Sequence, residues 1–144
     1  SHYIYLLKIE AVMEDSNKPT MMIAEDENII RMLLKAVAKE TGFEVVAEAA
    51  NGREAVDIFR AVKPDITLMD INMPKLTGLE ALKKIHDTDP NSCVIMMTSV
   101  ADMDSVRNAI EFGAANYILK DTPIEEMEQM IMETWKNHNA PING

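Results

Sequence analysis

The sequence predicts an α/β protein, a doubly wound parallel sheet of five strands with helices on both faces. Three observations predict it. Short apolar runs bounded by polar residues recur five times along the chain, as strands buried on both faces do. Between them lie segments whose apolar residues fall at helical spacing. The two kinds of segment alternate throughout, the pattern of linked strand–helix–strand units in a parallel sheet.

The first strand is Thr20–Ala24, where Met21-Met22-Ile23-Ala24 runs into acids. A helix over Asn28–Glu40 follows, with Ile30, Leu33, Leu34 and Val37 at helical spacing, and Gly42 sits where a helix C-terminus favours glycine. Phe43–Ala49, with β-branched Val45 and Val46, is the second strand. Asn51 and Gly52 open a second helix carrying Val56, Phe59 and Val62 on one face, and Pro64 stops it. Asp65–Asp70 is the third strand. Leu79–His86 is the third helix, with Leu79, Leu82 and Ile85 inward and Pro90 at its exit. Ser92–Thr98 is the fourth strand, with Cys93 inside it as a small buried hydrophobe. Met103–Phe112 is the fourth helix, closed by Gly113, and Asn116–Leu119 is the fifth strand. Ile124–Trp135 is the fifth helix, with Ile124, Met127, Ile131 and Trp135 at helical spacing. The common small solution for five such units is the flavodoxin-like (βα)5 arrangement, with strand order 2-1-3-4-5.

The 144 residues suit one domain. That domain is expected over residues 20–138. Residues 1–19 do not match its pattern and read as an N-terminal extension. Met13 looks like a natural start, which makes residues 1–12 upstream sequence or a cloning remnant. Residues 139–144 read as a tail or the start of a linker. Hydrophobic residues make up 47% of the chain, enough for a core. With 14 Lys+Arg against 24 Asp+Glu, the net charge is -10, which argues against nucleic-acid binding by this domain alone. No apolar run reaches the roughly 18–20 residues that span a bilayer, so no membrane is expected. The single cysteine excludes an internal disulfide and a thiolate metal cluster. A reducing compartment, the cytoplasm, is the expected location.

In sheets of this kind ligands bind at the carboxyl ends of the strands, near the switch in strand order. Strand one ends in Glu25-Asp26-Glu27, strand three in Asp70, strand four in Thr98-Ser99 and strand five in Lys120-Asp121. In the expected order these ends form one cluster. Packed carboxylates repel one another, and a hard divalent cation such as Mg²⁺ removes that cost with oxygen ligands. An aspartate beside Mg²⁺ can attack a phosphoryl group to give an aspartyl phosphate. Such transfer needs positioning and neutralisation of the equatorial oxygens: Mg²⁺, Lys120 and the Thr98 hydroxyl would supply these, with Asp70 as nucleophile.

Thr20 to about Asn137 resembles the receiver domain of two-component response regulators, as in the chemotaxis response regulator. The residues that carry the resemblance are Glu25-Asp26, Asp70 in Leu68-Met69-Asp70-Ile71-Asn72-Met73-Pro74, Gly78, Thr98-Ser99, Gly113-Ala114, Tyr117 and Lys120. It implies that Asp70 is a phosphoacceptor charged by a sensor histidine kinase or phosphotransfer protein. It implies that Glu25, Asp26, Asp70 and the Asn72 backbone carbonyl form the Mg²⁺ site, with Asp26 a direct ligand, and that Lys120 bridges to the phosphoryl group. Thr98 and Tyr117 resemble the switch pair that reshapes the surface of helix four, strand five and helix five to control an output protein, an attached domain or a homodimer. Asn72 and Val100 flank the site and are expected to tune the phosphoryl lifetime. Two departures stand out. The family's usual proline after the strand-five lysine is replaced by Asp121, so a trans link is expected here. The acidic pair is Glu-Asp rather than Asp-Asp. Lys120-Asp121-Thr122-Pro123 resembles receivers that precede helix-turn-helix output domains.

Blander readings exist for each residue alone. The acidic pair could favour a helix N-terminus, Thr98 and Ser99 could cap helix four, and Lys120 could be a solvated lysine. Their coincidence at matching strand ends favours the switch. An aspartyl-phosphate phosphatase would need an acid two residues after the nucleophile, where Asn72 stands. A flavin carrier would need a phosphate-binding loop where the three acids lie. A scaffold receiver would have no use for the intact constellation. The chain thus reads as a switch that catalyses only its own phosphotransfer and dephosphorylation.

Overall fold

Alternation of apolar strands with amphipathic helices yields the expected sheet. The computed structural model describes residues 18–140 together with Ile4. Its elements are β1 (Thr20–Ala24), α1 (Asn28–Glu40), β2 (Glu44–Ala49), α2 (Gly52–Val62), β3 (Ile66–Asp70), α3 (Gly78–Thr88), β4 (Val94–Thr98), α4 (Met103–Glu111), β5 (Asn116–Leu119) and α5 (Ile124–His138). All strands are parallel, in the order β2-β1-β3-β4-β5. The expected extension over residues 1–19, with the start at Met13, falls almost wholly outside the described residues, as does most of the tail over 139–144.

Because successive strand side chains point to opposite faces, the sheet divides the core in two. Met22, Ala24, Met69 and Met96 pack with Val56, Phe59, Leu82 and Ile85 of α2 and α3. Met21, Ile23, Leu68, Ile95, Met97 and Ile118 pack with Leu34 and Val37 of α1 and Met127 and Ile131 of α5. β3 and β4 are buried at every position. Six methionines fill this interior at 0–1% exposure, Met21, Met22, Met69, Met96, Met97 and Met127; their flexible thioethers suit irregular gaps. β2 is an edge strand, and its register with β1 jumps: Met21 faces Val45 but Met22 faces Ala47, leaving Val46 as a bulge.

Three residues expected on inner helix faces lie outside: Leu33, Val62 and Ile124 are exposed. Leu33 is one position from Leu34, which takes the inward direction, and a helix turns about 100° per residue. Val62 is the last residue of α2, where Lys63 reverses the chain with φ 51°. Ile124 is the first residue of α5, ahead of the turn that reaches the sheet through Met127. Cys93 is buried as expected but precedes β4. The expected trans link after Lys120 is present, since the described residues contain no cis peptide. Among the described residues no helix is long and apolar enough to cross a membrane.

The helix starts around the sheet's carboxyl end differ. Asn51 caps α2, Thr77 and Glu80 form a reciprocal capping box on α3, and Asp102 caps α4. The N-cap of α1, Glu27, makes no side-chain cap bond. Gly78 opens α3 against the end of β3: a β-carbon there would collide with the Asp70 carbonyl and the Ile71 Cα, so only glycine lets α3 approach this closely.

Candidate functional site

The carboxyl ends of β1, β3, β4 and β5 meet in one cleft, as their order requires. Glu25 follows β1 and is fully buried; Asp70 ends β3 at 4% exposure; Asp26 is exposed. One carboxylate oxygen from each of the three lies within 4.8 Å of the others. Lys120, one residue past β5, sends its Nζ to 2.5 Å from Glu25 Oε1 and 3.1 Å from Asp70 Oδ1. Its reach is fixed by the backbone, because the Lys120 N–H donates to the Thr98 carbonyl at 2.7 Å.

The loops that present the acids are pinned. The Glu25 N–H donates to the Ala49 carbonyl at 2.9 Å, and the Glu27 N–H donates to Glu25 Oε2 at 3.2 Å. The Asn72 N–H donates to Asp70 Oδ1 at 3.3 Å, and Gly78 N–H to the Ile71 carbonyl at 2.8 Å. Burial pushes the Glu25 carboxyl up to about 7, against the pull of Lys120, and the charge of Asp70 adds to the rise. Burial acts to lower the Lys120 ammonium, but its bonds to Glu25 and Asp70 outweigh this and hold it above its ordinary value. Lys120 is therefore a fixed cation at neutral pH.

Three carboxyl groups facing one ammonium leave an excess of negative charge, and all three offer hard oxygen donors. This donor set fits a small divalent cation.

On the β4 side, Thr98 is 2% exposed and its Oγ1 donates to the Val100 carbonyl at 3.1 Å. The Tyr117 hydroxyl donates to the same carbonyl at 3.3 Å. Burial, with the nearby Asp102 charge, holds the Tyr117 phenol above its ordinary value, so it is a neutral donor. The Thr98 hydroxyl is not a helix cap; that role falls to Asp102, which accepts from the Ser105 N–H at 2.8 Å. The Val100 side chain is 64% exposed, and Asn72 is exposed at the other rim.

The structure thus brings Glu25, Asp26, Asp70 and Lys120 into contact range and joins Thr98 to Tyr117 through Val100. It also reveals Arg31, which sequence reasoning passes over. Its guanidinium meets the Glu25 carbonyl and, 17 positions along the chain, Glu48. The one sequence signal was an arginine a turn into the helix that follows the acidic pair.

Comparison with known proteins decides the family. The profile of the response regulator receiver domain matches residues 21–132. The chain belongs to this family. The chemotaxis protein CheY of Thermotoga maritima is 41% identical to this receiver over 100 residues, 69% of this chain and 83% of that protein. A LuxR-family two-component response regulator from Aurantimonas sp. SI85-9A1 superposes with TM-score 0.79 at 29% identity, covering 84% of this chain and 87% of that one. CheY in the CheX-CheY-BeF3-Mg²⁺ complex from Borrelia burgdorferi superposes with TM-score 0.77 at 28% identity, over 81% and 88% of the two chains. The receiver is a phosphorylation-dependent signalling switch of two-component systems rather than a metabolic enzyme.

Proposed function

We propose that Asp70 is the phosphoacceptor and that Glu25, Asp26, Asp70 and the Asn72 backbone carbonyl hold Mg²⁺ beside it. The observation that carries this reading is the placement of Asp70, buried at a strand end, 3.1 Å from a lysine ammonium and within 4.8 Å of two further carboxylates. An Asp70 oxygen forms the new P–O bond as the donor's P–N bond breaks, and the electron pair leaves with the imidazole of a sensor histidine kinase or phosphotransfer protein. Bound Mg²⁺ would neutralise charge on the transferring phosphoryl oxygens. Lys120, already cationic, pairs with another of those oxygens. Water later attacks phosphorus, the P–O bond to Asp70 breaks, and inorganic phosphate leaves. Asn72 and Val100, at the rims of the cleft, tune how fast this happens. The chain thus catalyses its own phosphotransfer and dephosphorylation.

The switch works through a shared acceptor. Thr98 turns its hydroxyl from the Val100 carbonyl to the phosphoryl group, which leaves Tyr117 as the donor there. The α4–β5–α5 surface then settles into a second arrangement. An output protein, an attached domain or a second copy of the chain reads it, in the cytoplasm. The likeness to a LuxR-family regulator and the Lys120-Asp121-Thr122-Pro123 segment favour a second form of this reading, in which the domain at 20–138 precedes a helix-turn-helix output.

The test is phosphorylation by acetyl phosphate with and without Mg²⁺, read by intact mass before hydrolysis. The wild type gains one phosphoryl group only with Mg²⁺, and Asp70→Ala gains none. A gain of equal size in Asp70→Ala would refute the assignment.

A further inference from the structure

Arg31 donates from each of its three guanidinium nitrogens around the junction of β1 and α1. Its Nη1 donates to the Glu25 carbonyl at 2.8 Å, its Nε to Glu48 Oε1 at 3.1 Å, and its Nη2 to Asn28 Oδ1 at 2.6 Å. The side chain is 20% exposed. Glu48 on β2 is held in turn by Lys35, at 3.1 Å, so the guanidinium rests on an anchored partner.

The carbonyl that Arg31 grips belongs to the peptide joining Glu25 to Asp26. That unit is planar, so fixing its oxygen fixes the plane whose far end is the Asp26 nitrogen and Cα. On the near side the Glu25 N–H is already tied to Ala49. On the far side α1 begins without a side-chain cap. Asp26 is exposed and lies between these points, with the Arg31 bond to the Glu25 carbonyl before it and the Glu27 N–H bond to Glu25 Oε2 after it.

We infer that Arg31 is a positioning residue for the cation site: its bond to the Glu25 carbonyl, braced by its bonds to Glu48 and Asn28, orients the Glu25–Asp26 peptide so that the Asp26 carboxylate faces Asp70. The inference rests on the reading of Glu25, Asp26 and Asp70 as the Mg²⁺ site. Charge and position act in opposite directions here. Removing a positive charge near three carboxylates would by itself tighten binding of a divalent cation. Removing the grip weakens it, by about tenfold, the low end for groups that orient metal ligands.

The test is a Mg²⁺ titration of the wild type, Arg31→Met and Arg31→Lys, with Kd taken from backbone amide NMR shifts. The Mg²⁺-induced rise in melting temperature is measured in parallel. Both variants are expected to bind about tenfold more weakly, because lysine keeps the charge but cannot fork. A purely structural role would lower the melting temperature by the same amount with and without Mg²⁺ and leave Kd unmoved, which overturns the inference. Wild-type or tighter binding by either variant also overturns it. Should Arg31→Met fail to fold, Arg31→Lys decides alone. A wild type that binds no Mg²⁺ refutes the cation site itself, whereas a binding wild type with an unaltered Arg31→Lys refutes only the role of Arg31.

Discussion

Glu25, Asp26 and Asp70 carry the same functional group in three environments: wholly buried on a lysine, open to solvent, and buried at a strand end. Their proximity was legible in the sequence because strand ends in a parallel sheet converge. Arg31 was not legible, because its partner Glu48 is distant in the chain and meets it only once β2 lies beside β1. Cys93 was legible as a core residue. Burial pushes its thiol up to about 12, and only the thiolate attacks alkylating reagents. Iodoacetamide at pH 8.5 should therefore modify the folded protein no faster than the protein opens, and should modify it at once in urea; rapid labelling of the folded protein, read by mass, would contradict this. The sign for stability follows. The thiol's raised folded value favours the native state below the ordinary thiol range, and that contribution is lost as pH rises through about 12.

At the scale of elements, the alternation of periods located the five strands and five helices between residues 20 and 138, because apolar runs and helical stripes are direct records of burial. The faces of helix ends were less legible: Val62 and Ile124 match the stripe, yet they overhang the sheet at a helix terminus. Two neighbouring residues at the start of α3 separate capping from close approach. Thr77→Ala removes the capping box and should cost about 1 kcal/mol in urea unfolding. Gly78→Ala forces a methyl into the Asp70 backbone and should cost about 1–3 kcal/mol. It should also shift the Asp70 and Ile71 amide resonances, which Thr77→Ala should leave in place. Equal costs with unshifted resonances in Gly78→Ala would mean that the loop yields freely.

For the whole molecule, the doubly wound order follows from the sequence, but the division of labour between faces does not, because a strand apolar at every position has no outward side to mark. Both cores share the same five strands, so they should be lost together. The single tryptophan, Trp135, packs with the α1/α5 core. Met69 lies in the other core at 0% exposure. Met69→Ala should cost about 2–5 kcal/mol and move the unfolding midpoint reported by Trp135 fluorescence as far as that reported by far-UV circular dichroism. Diverging midpoints would show two cores that melt separately.

The bulge at Val46 bears on how this molecule lives among its own copies. Among the described residues β2 has β1 on one side and no strand on the other, and a regular open edge is a template for fibril growth and strand exchange. A bulge interrupts the even spacing of amide and carbonyl groups that an incoming strand would have to match. Exposed Glu44 and Glu48 flank it, and at a net charge of -10 the approaching copy is repelled before it arrives. The β2 edge is thereby a poor template for a second copy of the chain.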